Sequence, residues 1–494
     1  MNPLKYRSTL LQGALALLMS SPTLAQSNLD FEDTAAVSAW NVEADASAIV
    51  IDTDQAFSGR QSLRINGRGR ATQTIPAGAI SGNRIRLTAQ LRTDAVINGS
   101  AGLWLRVDGK QARLYIDVMR SRGATGHSDW TQYTLEAPIG PEAQRVTFGV
   151  QLRGSGTAWF DALSLEDLDT RSRPLPSADA AHYLDYALDL IEANSLMRRS
   201  IDWPRWRATT IDQARGAQAP ADTHLALSYA LGALEDGHSY LMTPEQSDRL
   251  SSTPVANART GQRLVVPRGV PLTDTIGYVS LPGYAGGTQA QQVEFAASVH
   301  AIIADLDHAG LCGWIVDLRD NTGGNLWPML AAVGPLLGDG EAGAALHADG
   351  SAVPFWYRRG RAGLGDFVQL RVPTPAYETG MLQRPVAVLI GPRTASSGEV
   401  IAAAFRGRAN TASFGAPTRG LSTGNRTFPL RDDAALVLTV AATRDPAGQV
   451  HAGPLQPDHG IEPDSRRTML SESASVHAAV QWLNTLCRAG SQQG

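Results

Sequence analysis

The sequence has few of the features that metal-binding and nucleic-acid-binding proteins require. It contains two cysteines and ten histidines in 494 residues, with no Cys-x-x-Cys or His-Glu-x-x-His arrangement. Metal-ligand spacing is therefore missing, and we expect no metal and no cofactor. Charged residues make up 18% of the chain and the net charge is -4, without a long run of either sign. A nucleic-acid partner would need a basic face and is not indicated.

The chain also lacks an apolar run long enough to cross a membrane. The run from Leu10 to Met19 is shorter than the roughly 20 residues that a spanning helix needs. Lys5 and Arg7 precede this run, and Thr23-Leu24-Ala25 supplies the small residues that a signal peptidase reads. We therefore interpret residues 1–25 as a secretory signal peptide, which predicts a periplasmic or secreted protein.

Export would permit a disulfide, for which Cys312 and Cys487 are the only candidates. Cys312 lies in an apolar stretch where a buried free thiol is equally reasonable. Cys487 lies near the end of an apparent C-terminal helix. The sequence favours two unpaired cysteines, and neither has a context that would activate a thiolate.

The pattern of apolar residues predicts a multidomain chain. Alternation from Ile85 to Leu91 and from Leu103 to Val107 has the period of β-strands, with a turn at residues 97–100. Helical spacing follows a proline-containing linker, and strands then alternate with helices. We predict a jelly-roll-like β-sandwich at 27–167, a linker at 168–178, a helical subdomain at 179–255 and an α/β core at 256–490.

The opening and closing segments of the predicted sandwich, Asn28–Glu32 and Trp159–Asp161, resemble those of carbohydrate-binding jelly-roll modules. Trp104, Trp130 and Tyr115 offer rings for stacking on sugars, although aromatic residues in sandwiches more often belong to the core. We expect a glycan or protein contact here and favour a structural or protein-contact role over sugar binding.

The strongest chemical signal is a serine that follows a buried strand and opens an apolar helix. The strand Val388–Ile390 leads through a turn to Ser396, and Ile401–Phe405 continue the helix. A hydroxyl there lies among unpaired N–H groups at the positive end of the helix dipole. These donors can hold an oxyanion, although a simple N-cap is the commoner use of such a serine.

A second signal is the glycine pair Gly323-Gly324, which follows the apolar strand Trp314–Leu318. Adjacent glycines allow the backbone to approach a ligand closely, as an oxyanion hole requires, although a tight turn is again the commoner reason for them.

Three stretches, Asp236–Ser239, Asp317–Gly324 and Thr394–Glu399, occur in the order found in tail-specific (C-terminal processing) serine peptidases and their tricorn-like relatives. Phe414–Gly420 and Gly460–Asp464 resemble two later segments of that family. The resemblance extends over roughly residues 180 to 490 and implies a serine peptidase core.

By position, the resemblance makes Ser396 the nucleophile and gives the oxyanion to the N–H groups of Ser397, Gly323 and Gly324. One branch of the family uses a lysine base, but the matching position here is Leu421, which cannot take a proton. The other branch, with tricorn and the nisin-resistance proteases, uses a histidine that His238 matches. His238 is therefore the predicted general base.

The group that orients His238 is less defined. Asp458 lies near the position where tricorn-like enzymes have an acidic residue, with Gln456 and Asp236 as competitors. Glu399 follows the nucleophile by one helical turn, and the matching glutamate in nisin-resistance relatives contributes to substrate binding. We predict that Asp458 completes the catalytic set and that Glu399 faces the cleft and binds substrate.

These features predict an exported serine endopeptidase or carboxy-terminal-processing peptidase that acts on peptides or proteins without a cofactor. Two alternatives use the same fold. One is a non-catalytic carrier of retinoids or lipids, which lacks an activated serine. The other is a glycan-binding protein with a degenerate peptidase core.

Overall fold

The computed structural model describes residues 28–33, 40–43, 48–120, 122–252, 266–307, 310–373, 383–463 and 469–491. The predicted signal segment, residues 1–25, lies outside these ranges. None of the helices within them is both long and apolar enough to span a bilayer.

The N-terminal part is a β-sandwich, as the alternating sequence predicts. Its strands are β1 (Asn41–Glu43), β2 (Ile49–Asp52), β3 (Ser62–Asn66), β4 (Gly69–Pro76), β5 (Arg84–Asp108), β6 (Arg113–Asp117), β7 (Ala124–Pro138), β8 (Arg145–Leu152) and β9 (Ser155–Leu168). Inward-facing Ile85, Leu87, Phe148 and Phe160 are completely buried between the layers. Trp104 is also buried, beneath the guanidinium group of Arg70, so its ring is not open for stacking on a sugar.

The long strand β5 belongs to both layers of the sandwich. Its first half pairs with β7 and β9, and its second half pairs with β6 and β8. The turn predicted at residues 97–100 is instead a bend within this strand, where Asn98 has a φ of 57°. Because pairing continues on both sides of the bend, a single strand crosses from one layer to the other.

A group of helices connects the sandwich to the rest of the chain. It contains α1 (Ala178–Asn194), α2 (Trp203–Gln213), α3 (His224–Gly232), β10 (Tyr240–Met242) and α4 (Pro244–Ser252). Leu184 and Leu188 of α1 and Leu227 of α3 pack in one core with Leu436 and Leu438 from a later strand. The helices are therefore attached to the C-terminal half by hydrophobic burial.

In the residues that the structure describes, the C-terminal half contains two sheets and four α-helices. Its elements are β11 (Arg268–Thr273), β12 (Ile276–Ser280), α5 (Gln289–Asp307), β13 (Gly313–Asp317), α6 (Leu326–Leu337), β14 (Gly340–His347), β15 (Ala352–Arg358), β16 (Arg361–Leu364), β17 (Phe367–Arg371), β18 (Val386–Ile390), α7 (Ser397–Ala404), β19 (Thr411–Gly415), β20 (Thr423–Pro429), β21 (Ala435–Arg444), β22 (Val450–His451), β23 (His459–Gly460) and α8 (Ala474–Ser491).

One of these sheets is mostly parallel and brings the predicted motifs together. Its strand order is β11-β12-β13-β18-β19-β23, and neighbours from β12 onward are parallel. Every residue of β13 and β18 is buried. Because parallel strands end at the same edge, the loops that carry Gly323 and Ser396 leave the sheet side by side.

The other sheet is antiparallel, in the order β10-β21-β14-β15-β16-β17, with β20 and β22 also paired to β21. The segment that follows His238 enters this sheet as β10, whose Tyr240 pairs with Val437. The predicted base and the predicted nucleophile therefore come from different sheets.

The structure contradicts the expectation that the cysteines are unpaired. Cys312 and Cys487 form a disulfide with their Cα atoms 5.8 Å apart. Helix α8 returns to cover the parallel sheet, and Leu483 packs on Gly313 next to Cys312. This contact spans 175 residues of sequence, so no local pattern could indicate it.

Candidate active site

Ser396 has a backbone conformation that a simple helix cap does not need. Its φ is 53°, in the left-handed region that a residue with a Cβ rarely adopts. It is the N-cap residue of α7, yet its hydroxyl makes no capping hydrogen bond to that helix. The backbone N–H of Ser396 donates to Oε2 of Glu399 at 2.8 Å, as in a capping box, but the left-handed backbone and the unused hydroxyl are not features that an ordinary cap needs. Its half-buried hydroxyl is free of the helix it precedes.

The glycine pair packs directly against this serine. Gly323 and Gly324 have φ values of 86° and 123°. A Cβ on Gly323 would lie 2.7 Å from the Cβ of Ser396 and 2.6 Å from the carbonyl oxygen of Ala395. A Cβ on Gly324 would lie 1.9 Å from the carbonyl oxygen of Tyr284. Both positions therefore require glycine, for conformation and for space.

Two of the three predicted oxyanion donors remain available. Within the ranges that the structure describes, the N–H groups of Gly324 and Ser397 have no hydrogen-bond acceptor. The Ser397 hydroxyl donates to the carbonyl oxygen of Gly324 at 2.7 Å, which joins the two segments. The N–H of Gly323 instead donates to Oδ1 of Asn321 at 2.9 Å. In the structure the N–H of Gly323 is therefore not available to an oxyanion, contrary to the prediction. The absence of a side chain at Gly323 leaves room for Ser396.

Glu399 does not face a cleft, contrary to the sequence prediction. Its side chain is completely buried and accepts four hydrogen bonds. The donors are the N–H of Ser396 at 2.8 Å, the hydroxyl of Thr418 at 2.5 Å, and the N–H groups of Gly420 at 2.9 Å and Leu421 at 2.8 Å. Both carboxylate oxygens are thus occupied within the protein. Burial raises the pKa of Glu399, and these four donors oppose that shift.

The loop held by Glu399 leads directly to the predicted base. Leu421 is followed two residues later by Thr423, whose hydroxyl lies 2.8 Å from Nδ1 of His238. The N–H of Arg419 also donates to the carbonyl oxygen of Thr394 at 2.9 Å. A continuous series of contacts therefore runs from the Ser396 segment through Glu399 and the loop 418–421 to His238.

His238 has the protonation state that a general base needs. If Nδ1–H donates to the Thr423 hydroxyl, Nε2 presents its lone pair. No hydrogen-bond partner of Nε2 occurs in the described part of the chain. Burial lowers the pKa of His238 from 6.5 to about 4, although the charge of Asp236 acts in the opposite direction. A neutral hydroxyl cannot offset this shift as an adjacent carboxylate would, so the imidazole is neutral at pH 7.

Asp458 does not orient His238, and this prediction is corrected. Its Oδ2 accepts from the N–H and the hydroxyl of Ser413, at 2.8 and 2.7 Å. These bonds accompany the pairing of β23 with β19, which keeps Asp458 at the edge of the parallel sheet. The competitor Asp236 accepts from the N–H groups of His238 and Ser239 and shapes their turn. The side chain that contacts the imidazole ring of His238 is that of Thr423.

The sequence analysis missed Thr423 and Asn321. Asn321 is fully buried; its carbonyl oxygen accepts from Ala395 N at 2.9 Å, while Oδ1 holds the glycine turn. Thr423 begins β20 and carries no pattern that distinguishes it from other strand residues. Asn321 lies within the quoted motif, so its position before the glycine pair was an available signal.

The described ranges contain no group of three or more His, Cys, Asp or Glu side chains that could hold a metal ion. A hydroxyl beside two free donors, connected to a neutral imidazole, is suited to nucleophilic attack on a carbonyl carbon.

Comparison with known proteins identifies related chains. Residues 275–466 match the sequence profile of peptidase family S41; this segment contains Ser396 and begins after His238. The chain is 26% identical over 305 residues to the nisin-resistance protein of Lactococcus lactis subsp. lactis, covering 61% of this chain and 86% of that protein. It is 25% identical over 269 residues to the carboxyl-terminal-processing protease of Synechocystis sp., covering 53% of each.

A solved structure of a lipoprotein from Streptococcus agalactiae has the same fold over the corresponding part. It aligns with a TM-score of 0.50 and 21% sequence identity, covering 63% of this chain and 97% of that chain. The profile match begins at residue 275 and does not include β1 to β9 of the sandwich.

Proposed function

We propose that this chain is a tail-specific serine peptidase of family S41, to which it is similar, and that it hydrolyses peptide bonds through an acyl-enzyme on Ser396. The observation that carries the proposal is the left-handed Ser396, whose hydroxyl is free of α7 and which packs against Gly323. A serine with only a structural role would not need this strained, left-handed backbone conformation.

In the proposed reaction, Nε2 of His238 takes the proton of the Ser396 hydroxyl as Oγ attacks the substrate carbonyl. The developing oxyanion accepts hydrogen bonds from the N–H groups of Gly324 and Ser397. The imidazolium then gives its proton to the departing amine, and the acyl-enzyme remains. Water, activated by the same imidazole, releases the second product.

Two residues have positioning roles in this proposal. Thr423 holds Nδ1 of His238, so that Nε2 carries the lone pair. Glu399 ties the Ser396 segment to the loop that precedes Thr423. Neither contacts the substrate. Asp458 and Gly323 are left out of the proton transfer and of the oxyanion hole, for the reasons given above.

The substrate and location that we propose are a polypeptide outside the cytoplasm. The carboxyl-terminal-processing relative supports cleavage near a C-terminus, and endopeptidase action on a peptide is the second form. The segment 1–25 supports export to the periplasm or beyond. The alternative of a retinoid or lipid carrier gives no role to a strained serine, two unpaired N–H donors and a neutral imidazole.

The test is labelling of the purified protein with a fluorophosphonate probe, which reacts with activated serines. We expect the wild-type protein to be labelled, and Ser396→Ala to abolish labelling. We expect His238→Ala to slow labelling by about 100-fold or more, because base catalysis contributes roughly 10²–10⁴-fold. Ser298→Ala is the matched control, because Ser298 is an exposed serine of α5 outside the proposed site. Labelling that survives in Ser396→Ala, or is absent from folded wild-type protein, would contradict the proposal.

A further inference from the structure

The N-terminal sandwich touches the turn that carries the predicted base. The tip between β5 and β6 is closed by a hydrogen bond from the N–H of Gly109 to the carbonyl oxygen of Ala112, at 2.8 Å. The next N–H, of Lys110, donates to Oε1 of Glu235 at 3.1 Å. Glu235 lies three residues before His238. The tip of the β5–β6 pair in the sandwich is therefore hydrogen-bonded to the start of the turn 235–239, which carries His238.

Glycines permit this contact to be close. A Cβ on Gly109 would lie 2.3 Å from Oε1 of Glu235, and one on Gly232, in α3, would lie 1.9 Å from the carbonyl oxygen of Leu114 in β6. A Cβ on Gly140 would lie 2.2 Å from the ring of Tyr229. Side chains at these three positions would separate the surfaces, so the sandwich packs closely on α3 and the turn after it, with backbone against backbone at Gly232.

The turn itself depends on support from outside. Glu235 has a φ of 53° and Gly237 a φ of 68°, so two of its residues have left-handed backbone. Asp236 accepts from the N–H groups of His238 and Ser239 and closes the turn locally. Thr423 holds the ring end of His238. On the opposite side, the bond from Lys110 fixes Glu235, so the turn is held at both ends.

We propose that the β5–β6 tip, residues 108–113, is a positioning element of the active site that holds, through Glu235, the turn carrying His238. This inference rests on the proposed function, since it takes His238 as the base. The sandwich would then contribute to catalysis by contacting the peptidase part of its own chain, and not by binding a glycan. Glu235 is a positioning residue and does not touch the substrate.

The test is the pH dependence of fluorophosphonate labelling of the full-length Glu235→Ala variant. Loss of the bond frees the turn and admits water to His238, so its pKa returns toward 6.5. Asp236 is the charged group that acts on this imidazole, and Thr423 is its neutral partner. We expect labelling at pH 7 to fall about tenfold, which equals about 1.4 kcal/mol. We also expect the acidic limb of the profile to move up by about one pH unit.

Conservative and control variants separate positioning from loss of fold. Glu235→Gln keeps an acceptor oxygen for Lys110 N and should restore most of the labelling rate. Gly78→Ala is the matched sandwich control, because a Cβ there meets nothing within 4 Å. If Glu235→Ala does not fold, Gly109→Ala, which pushes on the same carboxylate, decides the point by the same readout.

The outcomes distinguish this inference from the proposed function. Wild-type protein that is not labelled at all contradicts the proposed function. If the wild-type protein is labelled and Glu235→Ala has the same labelling rate and the same acidic limb, only the positioning role is overturned. A lower rate that Glu235→Gln does not restore, with the limb unmoved, also overturns it.

Discussion

At the scale of single residues, the candidate base differs from the usual serine-peptidase arrangement in its supporting group. A carboxylate beside an imidazole both selects the tautomer and stabilises the imidazolium ion. The hydroxyl of Thr423 contacts Nδ1 as donor or acceptor and provides no compensating charge. Burial then acts almost unopposed and lowers the pKa of His238 to about 4. A base with this pKa is a weak proton acceptor but is neutral over a wide pH range.

This residue-scale chemistry predicts an activity that persists in acid. His238 must be neutral to act, and its pKa lies below 6.5, so the active form is lost only as the pH falls through about 4. We expect the fluorophosphonate labelling rate to be nearly level from pH 7 to about pH 5 and to be halved near pH 4. Circular dichroism at each pH verifies that the fold persists. A half-point near 6.5 in folded protein would contradict the burial of this imidazole.

At the scale of elements, Glu399 couples the N-terminal end of α7 to the loop 418–421. It belongs to α7, yet it binds the Ser396 segment and the loop that leads to β20. Strand β20 in turn pairs with β21, which also pairs with β10 after the catalytic turn. Glu399 therefore connects the parallel sheet, which precedes the proposed nucleophile, to the antiparallel sheet, which supports the proposed base.

We predict that Glu399→Gln slows labelling by at least about tenfold while the protein remains folded. An amide has a single acceptor oxygen, and its NH₂ group would face N–H donors that now bind a carboxylate; each such bond is worth roughly 1.5–3 kcal/mol. The labelling rate and the thermal unfolding midpoint measure the two effects separately.

Glu472→Gln is the matched control for this substitution, since Glu472 is exposed. Equal labelling rates in Glu399→Gln and wild-type protein would show that the coupling through Glu399 is not needed. A substrate-binding role, as the sequence suggested, would instead leave labelling by a small probe unchanged.

At the scale of the whole molecule, four cores are joined by a few long-range connections. The sandwich meets the helices at Glu235, Tyr229 and their partners, and the helices share a core with β20 and β21. The C-terminal helix α8 closes the other side of the parallel sheet, where its disulfide anchors it. The proposed catalytic residues Ser396 and His238 lie between these connections, so their geometry depends on the assembled chain.

The disulfide should therefore contribute to stability. Replacing both Cys312 and Cys487 with serine releases a constraint across 175 residues of the unfolded chain. We expect the free energy of unfolding to fall by about 2–5 kcal/mol, measured by urea denaturation of oxidised protein. Reductant should lower the stability of the wild-type protein but leave the double variant unchanged. Equal stabilities of the two oxidised proteins would contradict a structural role for the bridge.

Local patterns in the sequence were sufficient to predict the elements and to place Ser396 between a buried strand and a helix. The strand Val386–Ile390, the helix that follows Ser396 and the alternating strands of the sandwich are all signalled by periodicity and turn residues. The glycine pair and Ser396 also follow neighbouring buried strands. Parallel pairing of those strands makes their loops meet, and that pairing follows from the alternation of strands and helices.

The partners of the site residues depended on the tertiary structure. Thr423, Glu235 and the Cys312–Cys487 bridge act across 185, 125 and 175 residues of sequence, and no local pattern encodes such contacts. Glu399 and Asp458 were assigned to substrate and base by position, but their carboxylates found donors in the loop 418–421 and at Ser413. The sequence thus determined which residue types were available for chemistry and where the elements lie. Only the folded chain decided which donor meets which acceptor, because buried polar groups pair with whatever packing brings within hydrogen-bond distance.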